Sequence, residues 1–172
     1  MTFLVLEGTI MKRFFEKISF NEFKKTYGDN KELYDSFKLP KRATISSAGY
    51  DFYAVDSFTI KPGEVYKVQT GCKACFPFDE VLMLYVRSSI GIKKNVRMCN
   101  QVGIVDADYY NNQDNEGHIC VVLKNEGDKD FHLEKGEAFA QGIFMKYLLT
   151  DDDNTTTIRT GGIGSTNEKE GN

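Results

Sequence analysis

The sequence predicts a mainly β domain (a sandwich, barrel or jelly roll) with a short helical segment near its start. Three observations lead there. Short segments rich in β-branched and aromatic residues recur from residue 48 onward, at 58–60, 65–70, 74–76, 81–87, 119–123, 131–133 and 139–148. Turn-forming groups separate them: Lys61-Pro62-Gly63-Glu64, Pro77-Phe78-Asp79, Asn125-Glu126-Gly127-Asp128 and Glu134-Lys135-Gly136-Glu137. No alternation of strand and long helix calls for a parallel sheet.

In chain order, residues 1–10 are apolar but lack the basic start and long hydrophobic centre of a signal peptide. They read as a short first strand, or as an extension ahead of a second methionine, Met11. Next, Phe20, Phe23 and Tyr27 recur at helical spacing, Ser19 and Asn21 can cap, and Gly28-Asp29-Asn30 breaks the run. One or two short helices at about 19–36, packed as cladding on the main body, follow from this pattern. A single β-rich domain then extends over residues 1–150. Beyond it, Asp151-Asp152-Asp153 and Thr155-Thr156-Thr157 form a polar linker, and Arg159-Thr160-Gly161-Gly162-Ile163-Gly164-Ser165-Thr166 is rich in glycine. Residues 151–172 therefore read as a flexible C-terminal arm. Fully extended, its linker spans roughly 25–30 Å, enough to reach a neighbouring chain. The triple aspartate reads as a solvated loop rather than a cation site.

Composition narrows the function. The 172 residues suit one domain that gains further burial by oligomerising. A net charge of −3 with no broad basic field argues against a long nucleic acid, so any polyanion bound here is small and held by a few placed groups. No apolar run approaches the roughly 20 residues that span a bilayer. Cys72 and Cys75 have the spacing of half a zinc site, but no second pair and no nearby histidine complete it. With Cys99 and Cys120 they read as reduced thiols, which together with the lack of a secretion signal imply the cytoplasm. His118 and His132 read as structural.

Four features point to a phosphate ester. Arg87-Ser88-Ser89-Ile90-Gly91 follows an apolar run and offers a guanidinium and hydroxyls at a strand end. The arm's glycines expose backbone N–H groups, with Arg159, Ser165 and Thr166 as further donors. In Gly103-Ile104-Val105-Asp106-Ala107-Asp108-Tyr109, two carboxylates flank one alanine and share a face of an extended strand. Their apolar approach can hold one carboxylate in a poor solvent, ready to accept a proton. Gln141, at the start of an apolar strand, can present its amide to a phosphate oxygen.

Read in order, Ser47-Ala48-Gly49-Tyr50-Asp51-Phe52, Arg87-Ser88-Ser89-Ile90-Gly91, Asn100 with Gly103 to Tyr109, Gly136-Glu137 with Ala140-Gln141, and Arg159 with Gly161 to Thr166 resemble five ordered motifs. They are those of the trimeric dUTPase family, bacterial or phage type, and the likeness covers roughly residues 38–167. The resemblance implies a jelly-roll homotrimer with active sites assembled from all three chains. It also implies Mg2+-dependent hydrolysis of dUTP to dUMP and pyrophosphate, which removes dUTP and supplies dUMP for dTMP synthesis. On that likeness Asp106 orients and deprotonates the water that attacks the α-phosphorus. Asn100 helps read uracil, within a hairpin whose backbone, at Gly103 and Val105, makes the other base contacts. The Tyr109 ring packs on the deoxyribose. Arg87, Ser88, Ser89 and Gln141 meet the triphosphate, and Arg159, Gly161, Gly162, Ile163, Gly164, Ser165 and Thr166 close over it. Asp51 stands near the waters of a magnesium ion otherwise held by the triphosphate. Magnesium prefers oxygen ligands and keeps several waters, so few protein ligands are needed.

The chain departs from the family pattern in places. Ile163 stands where an aromatic residue is usual and cannot stack as a π face. Ala138 replaces an arginine, the fifth motif is about one residue shorter, and a longer polar loop follows Tyr109 over 110–117. Two rival readings remain open. One is a dCTP deaminase-like enzyme of the same fold. The other is a nucleotide-gated binding protein that regulates a protein partner, motivated by the N-terminal segment and the 110–117 loop. A nucleic-acid-binding module is opposed by the acidic balance.

Overall fold

In the computed structural model, which describes residues 12–157, 159, 161 and 162, each strand pairing is antiparallel. The elements begin with β1 (Phe14–Lys17), α1 (Phe20–Tyr27), α2 (Lys31–Ser36), β2 (Lys41–Arg42), β3 (Tyr50–Tyr53), β4 (Phe58–Ile60), β5 (Val65–Gln69) and β6 (Cys72–Cys75). They continue with β7 (Glu80–Val86), α3 (Ser88–Lys94), β8 (Val96–Met98), β9 (Gly103–Asp106), a 3-10 turn (Ala107–Tyr109), β10 (Cys120–Asn125), β11 (Phe131–Leu133) and β12 (Ala138–Lys146). A five-stranded sheet in the order β2-β3-β12-β7-β9, a three-stranded sheet β5-β10-β8 and the pairs β4-β11 and β1-β6 make a mainly β, jelly-roll-like body.

Alternation along the strands builds the core, because every second residue faces the same side. Leu82 and Leu84 of β7 and Val121 and Leu123 of β10 turn inward. They join Phe52, Phe76, Met98, Ile119 and Phe139 in one cluster. Each fully buried side chain of this size contributes roughly 1.5–3 kcal/mol. Buried polar groups are paired: Glu80 binds Arg13, and the Asn125 amide donates to the Ile60 and Lys129 carbonyls, both at 2.8 Å.

The seven segments read from the sequence all coincide with strands, offset by at most two residues at an end. β1, β2, β3 and β8 go unread as strands because two to four residues are too few to display a period of two, whereas β9 falls inside the 103–109 run read as extended. α3 also goes unread. Residues 87–91 suggest a turn, yet they open a helix that closes at Asn95, whose φ of 52° is left-handed. Residues 1–11, where a strand or an extension is expected, lie outside the described residues, as do Ile158, Thr160 and residues 163–172.

The N-terminal segment forms two helices. Ser19 caps α1 by accepting the Glu22 N–H, and Asn30 caps α2 by accepting the Leu33 N–H. Ile18, Phe23, Leu33 and Phe37 bury against Val55 as a second apolar cluster beside the main core. Phe23 is completely enclosed, its ring centroid 4.7 Å from that of Tyr27 and 5.7 Å from that of Phe37. Phe23→Ala is expected to cost about 3–5 kcal/mol, read as a lowered midpoint in urea unfolding.

Candidate active site

β7 is the axis on which the candidate residues are laid out. It pairs with β9 on one side and β12 on the other. The register sets Val81 opposite Asp106 and Leu84 opposite Gly103, while Gln141 of β12 lies between Tyr85 of β7 and Asp51 of β3. Arg87 follows the far end of β7. From Val81 to Arg87 is six residues (87 − 81), roughly 20 Å of extended strand. Asp106 and Arg87 thus stand at opposite ends of one strand.

Around the first end lies a pocket of about 230 Å3, lined by Leu84, Asn100, Gly103, Ile104, Val105, Asp106, Tyr109, Ile119, Cys120 and Arg159. Gly103 forms its close-packed floor: a Cβ there would sit 3.0 Å from the Leu84 Cβ. Asn100 precedes Gln101, which has a φ of 62°. The expected hairpin around Asn100 is not one. β8 pairs with β10 and β9 with β7, so Asn100 sits on a turn that crosses from one sheet to the other. Tyr109 is 7 % exposed; its hydroxyl accepts from the Asn115 amide at 2.8 Å and donates to the His118 carbonyl at 3.2 Å. Burial pushes its phenol pKa up from a value already well above neutral, so the hydroxyl is a donor.

The carboxylate pair departs from expectation in two ways. β9 ends at Asp106 and a 3-10 turn follows, so Asp106 and Asp108 do not share an extended strand. They converge instead on Arg159, whose Nη2 lies 2.7 Å from Asp106 Oδ2 and whose Nε lies 2.9 Å from Asp108 Oδ1. Nor is either carboxylate in a poor solvent, the side chains being 52 % and 44 % exposed. Buried Tyr109 and Ile119 supply the apolar lining, and the half-exposed carboxylates form the rim. Arg159 itself is well covered, with its guanidinium carbon 5.8 Å from the Tyr109 ring centroid. It also donates to the Gly162 carbonyl at 3.3 Å.

At the other end of β7 a second pocket of about 250 Å3 is lined by Ala43, Ser47, Gly49, Asp51, Arg87, Ser88, Ser89 and Gln141. Arg87 Nε lies 3.3 Å from Asp51 Oδ1. A guanidinium, hydroxyls and an amide on one concave face form a donor set for anionic oxygens. The two pockets share no residue. The predicted site residues therefore fall into two groups: Asn100, Gly103, Val105, Asp106, Tyr109 and Arg159 in one, and Asp51, Arg87, Ser88, Ser89 and Gln141 in the other. Gly161 and Gly162 are buried beside the first, whereas Ile163, Gly164, Ser165 and Thr166 lie outside the described residues.

Asp108, the second carboxylate of the pair read from the sequence, shares Arg159. Other participants were not legible in the sequence: Asp114 accepts the Gly162 N–H at 2.7 Å. Leu84, Ile119 and Cys120 wall the first pocket, and no local signal announces them because their positions are set by sheet pairing. Among the described residues no cluster of three or more His, Cys, Asp or Glu side chains could hold a metal. Cys72 is buried on β6, where desolvation pushes its thiol up to about 12, and Cys75, three residues on, faces the opposite side of that strand. The zinc spacing therefore has no zinc geometry behind it.

The chain is similar to known proteins in sequence and in fold. A family model described as dUTPase matches residues 35–167. Over 130 residues the chain is 46 % identical to the deoxyuridine 5'-triphosphate nucleotidohydrolase of Lactococcus lactis, covering 74 % of this chain and 87 % of that relative. The crystal structure of a dUTPase from Streptococcus mutans matches with a TM-score of 0.65 at 42 % identity, covering 80 % of this chain and 98 % of that one. The dUTPase of phage phi11 of S. aureus, described with a structural Mg(II) ion, shares the fold at 16 % identity. Its TM-score is 0.63, with 86 % of this chain and 98 % of that one covered.

His118 supports the pocket from beneath and must be neutral to do so. Its Nε2 accepts the Gly71 N–H at 2.9 Å, and burial pushes its imidazole pKa down to about 4. The unfolded chain takes up that proton near pH 6.5, the folded one only near 4. The contribution is therefore whole above pH 6.5 and lost as the pH falls towards 4, about 3 kcal/mol in all. Urea midpoints should fall across that window. In His118→Gln, whose amide oxygen can accept without titrating, the drop should be smaller.

Proposed function

The chain belongs to the dUTPase family, and we propose that this dUTP diphosphatase works as a homotrimer, splitting dUTP into dUMP and pyrophosphate at sites shared between subunits. What carries the reading is the division of the donor set. A pocket with an aromatic wall and a carboxylate stands at one end of β7, and an arginine–serine–glutamine cluster stands roughly 20 Å away at the other. A nucleotide seated against Tyr109 meets its phosphate ligands if the second cluster comes from a neighbouring chain.

In this reading the base enters the first pocket, read by Asn100 and by the backbone around Gly103 and Val105. The Gly103 floor, closed by Leu84 and Met98, leaves little room to yield. Rigidity matters, because one methyl group in a yielding pocket is worth only about 1–3 kcal/mol. The Tyr109 ring packs on the deoxyribose. Asp106 orients a water and takes its proton as the water oxygen bonds to the α-phosphorus; the bond to the bridging oxygen breaks and pyrophosphate departs. Arg87, Ser88, Ser89 and Gln141 of the neighbour hold the triphosphate oxygens. Arg159 leaves the two aspartates for the phosphates, which frees Asp106. Partly exposed ion pairs are worth about 0–1 kcal/mol each, so the exchange costs little. Gly161, Gly162, Ile163, Gly164, Ser165 and Thr166 complete the cover.

The donor chemistry fits Mg2+ in one form only. With no acidic cage among the described residues, and with Asp51 the one carboxylate of the second pocket, the ion would be held by the triphosphate and by Asp51 through water. When bound it offsets phosphate charge. No described helix is long and apolar enough to cross a membrane, and the four cysteines are free thiols, which supports the cytoplasm as the site of action. One β-rich domain over 1–150 followed by an arm over 151–172 is the organisation this mechanism uses.

Asp106→Asn should lose turnover by at least about 100-fold while binding of a non-hydrolysable dUTP analogue stays within a few-fold. Ending the chain after Asp153 should cut turnover strongly without lowering the urea midpoint. Pyrophosphate release with magnesium, measured across dUTP, dCTP, dTTP and UTP, should single out dUTP. Ammonia from dCTP without pyrophosphate would instead establish the deaminase reading.

A further inference from the structure

We propose that Asp114, in the loop from Tyr110 to Gly117, is a positioning residue that seats the C-terminal arm against the Asp106 pocket. The inference rests on the dUTP-hydrolysing reading and deepens it. That loop is longer and more polar than the family pattern, and the mechanism above gives it no role.

The loop is built as a bracket. Asn112, nearly buried, donates from its Nδ2 to the Tyr109 carbonyl and to Asn115 Oδ1, both at 2.8 Å. Its Oδ1 accepts the Asp114 N–H at 3.1 Å and the Asn115 N–H at 3.2 Å. Gly117 turns the chain with a φ of +83°, and a Cβ there would stand 2.6 Å from the Tyr109 carbonyl oxygen, so glycine alone fits. On its outer side the bracket is braced by the N-terminal segment. The Glu116 carboxylate accepts the Ser19 N–H at 2.9 Å and the Ser19 hydroxyl at 2.5 Å, and it lies 3.6 Å from Lys73 Nζ. Burial alone would raise the Glu116 pKa, but these partners hold it below the usual carboxylate value. Lys73 also donates to Asn111 at 2.6 Å.

A loop fixed on both sides places its remaining groups accurately. Asn115 holds the Tyr109 hydroxyl, and Asp114 Oδ2 receives the arm's Gly162 N–H at 2.7 Å. Gly162 in turn accepts from Arg159, which spans Asp106 and Asp108. The contacts run in one line from loop to arm to carboxylate. Asp114 therefore acts as the pivot: when Arg159 moves to phosphate, the Gly162 amide stays hydrogen-bonded and the arm remains over the pocket. A carboxylate accepting a backbone N–H is among the stronger hydrogen bonds available for this task.

The test compares Asp114→Ala and Asp114→Asn in the full chain and in a chain ending at Asp153. In the full chain Asp114→Ala should lower kcat/KM for dUTP by about five- to tenfold, the worth of one such hydrogen bond. Asp114→Asn, whose amide oxygen still accepts, should recover most of it. The loss should vanish in the shortened chain, where no arm remains to be seated. Without nucleotide, trypsin should cut after Arg159 faster in Asp114→Ala than in the parent. An equal loss in full and shortened chains, or unchanged cleavage at Arg159, overturns the proposal. If Arg159 is exposed as expected but the parent releases no pyrophosphate from dUTP, the seating stands and the dUTP reading falls.

Discussion

The length of β7 is the constraint on which the rest depends. A paired strand of seven residues does not fold back on itself, so whatever stands at its two ends stays about 20 Å apart. One end carries the carboxylate and the aromatic pocket; the other carries the arginine, the serines and the glutamine. No rotamer change joins them within one chain, since even an arginine side chain reaches only part of that distance. On the proposed reading a second copy supplies the other half of the site, and the buried core is the platform from which each half is presented.

Electrostatics sets how firmly Arg159 is held at the first pocket. Arg159 satisfies two carboxylates at the rim, and both remain about half in contact with water. Solvent screens these pairs, so they orient the arm without holding it tightly. The buried contacts behave differently. Asn112 within the loop has its amide hydrogens and oxygen all paired, and His118 Nε2 accepts the Gly71 N–H, so losing a partner at either place leaves a polar group unsatisfied. The pocket thus joins buried, paired groups to a rim where Arg159 is held by weaker, exchangeable bonds.

Sequence reasoning went furthest where neighbours in sequence are also neighbours in space. Asn100, Gly103, Val105, Asp106 and Tyr109 lie within ten positions and line one pocket, and Ser19 does cap α1 as its hydroxyl suggests. Reasoning by period failed where the backbone changed its rise. Asp106 and Asp108 follow the geometry of a 3-10 turn, and α3 hides behind an isoleucine–glycine–isoleucine run of low helix propensity. It failed again where tertiary packing alone decides. Nothing local marks Asp114 as the partner of Gly162, 48 positions away, or Cys120 as a pocket wall. The expected desolvation of the carboxylates misjudged the pocket, since Tyr109 and Ile119 supply its apolar lining while both acids stay about half exposed.

Subunit mixing tests the shared site most directly. Chains carrying Asp106→Asn and chains carrying Arg87→Ala are each expected to be nearly inactive alone. Unfolded together in equal amounts and refolded, they should recover about one quarter of wild-type turnover, because random assembly places an intact Asp106 beside a neighbour's intact Arg87 in that share of sites. Mixed assemblies that form but stay inactive would mean that both residues must belong to the same chain, contradicting the division imposed by β7.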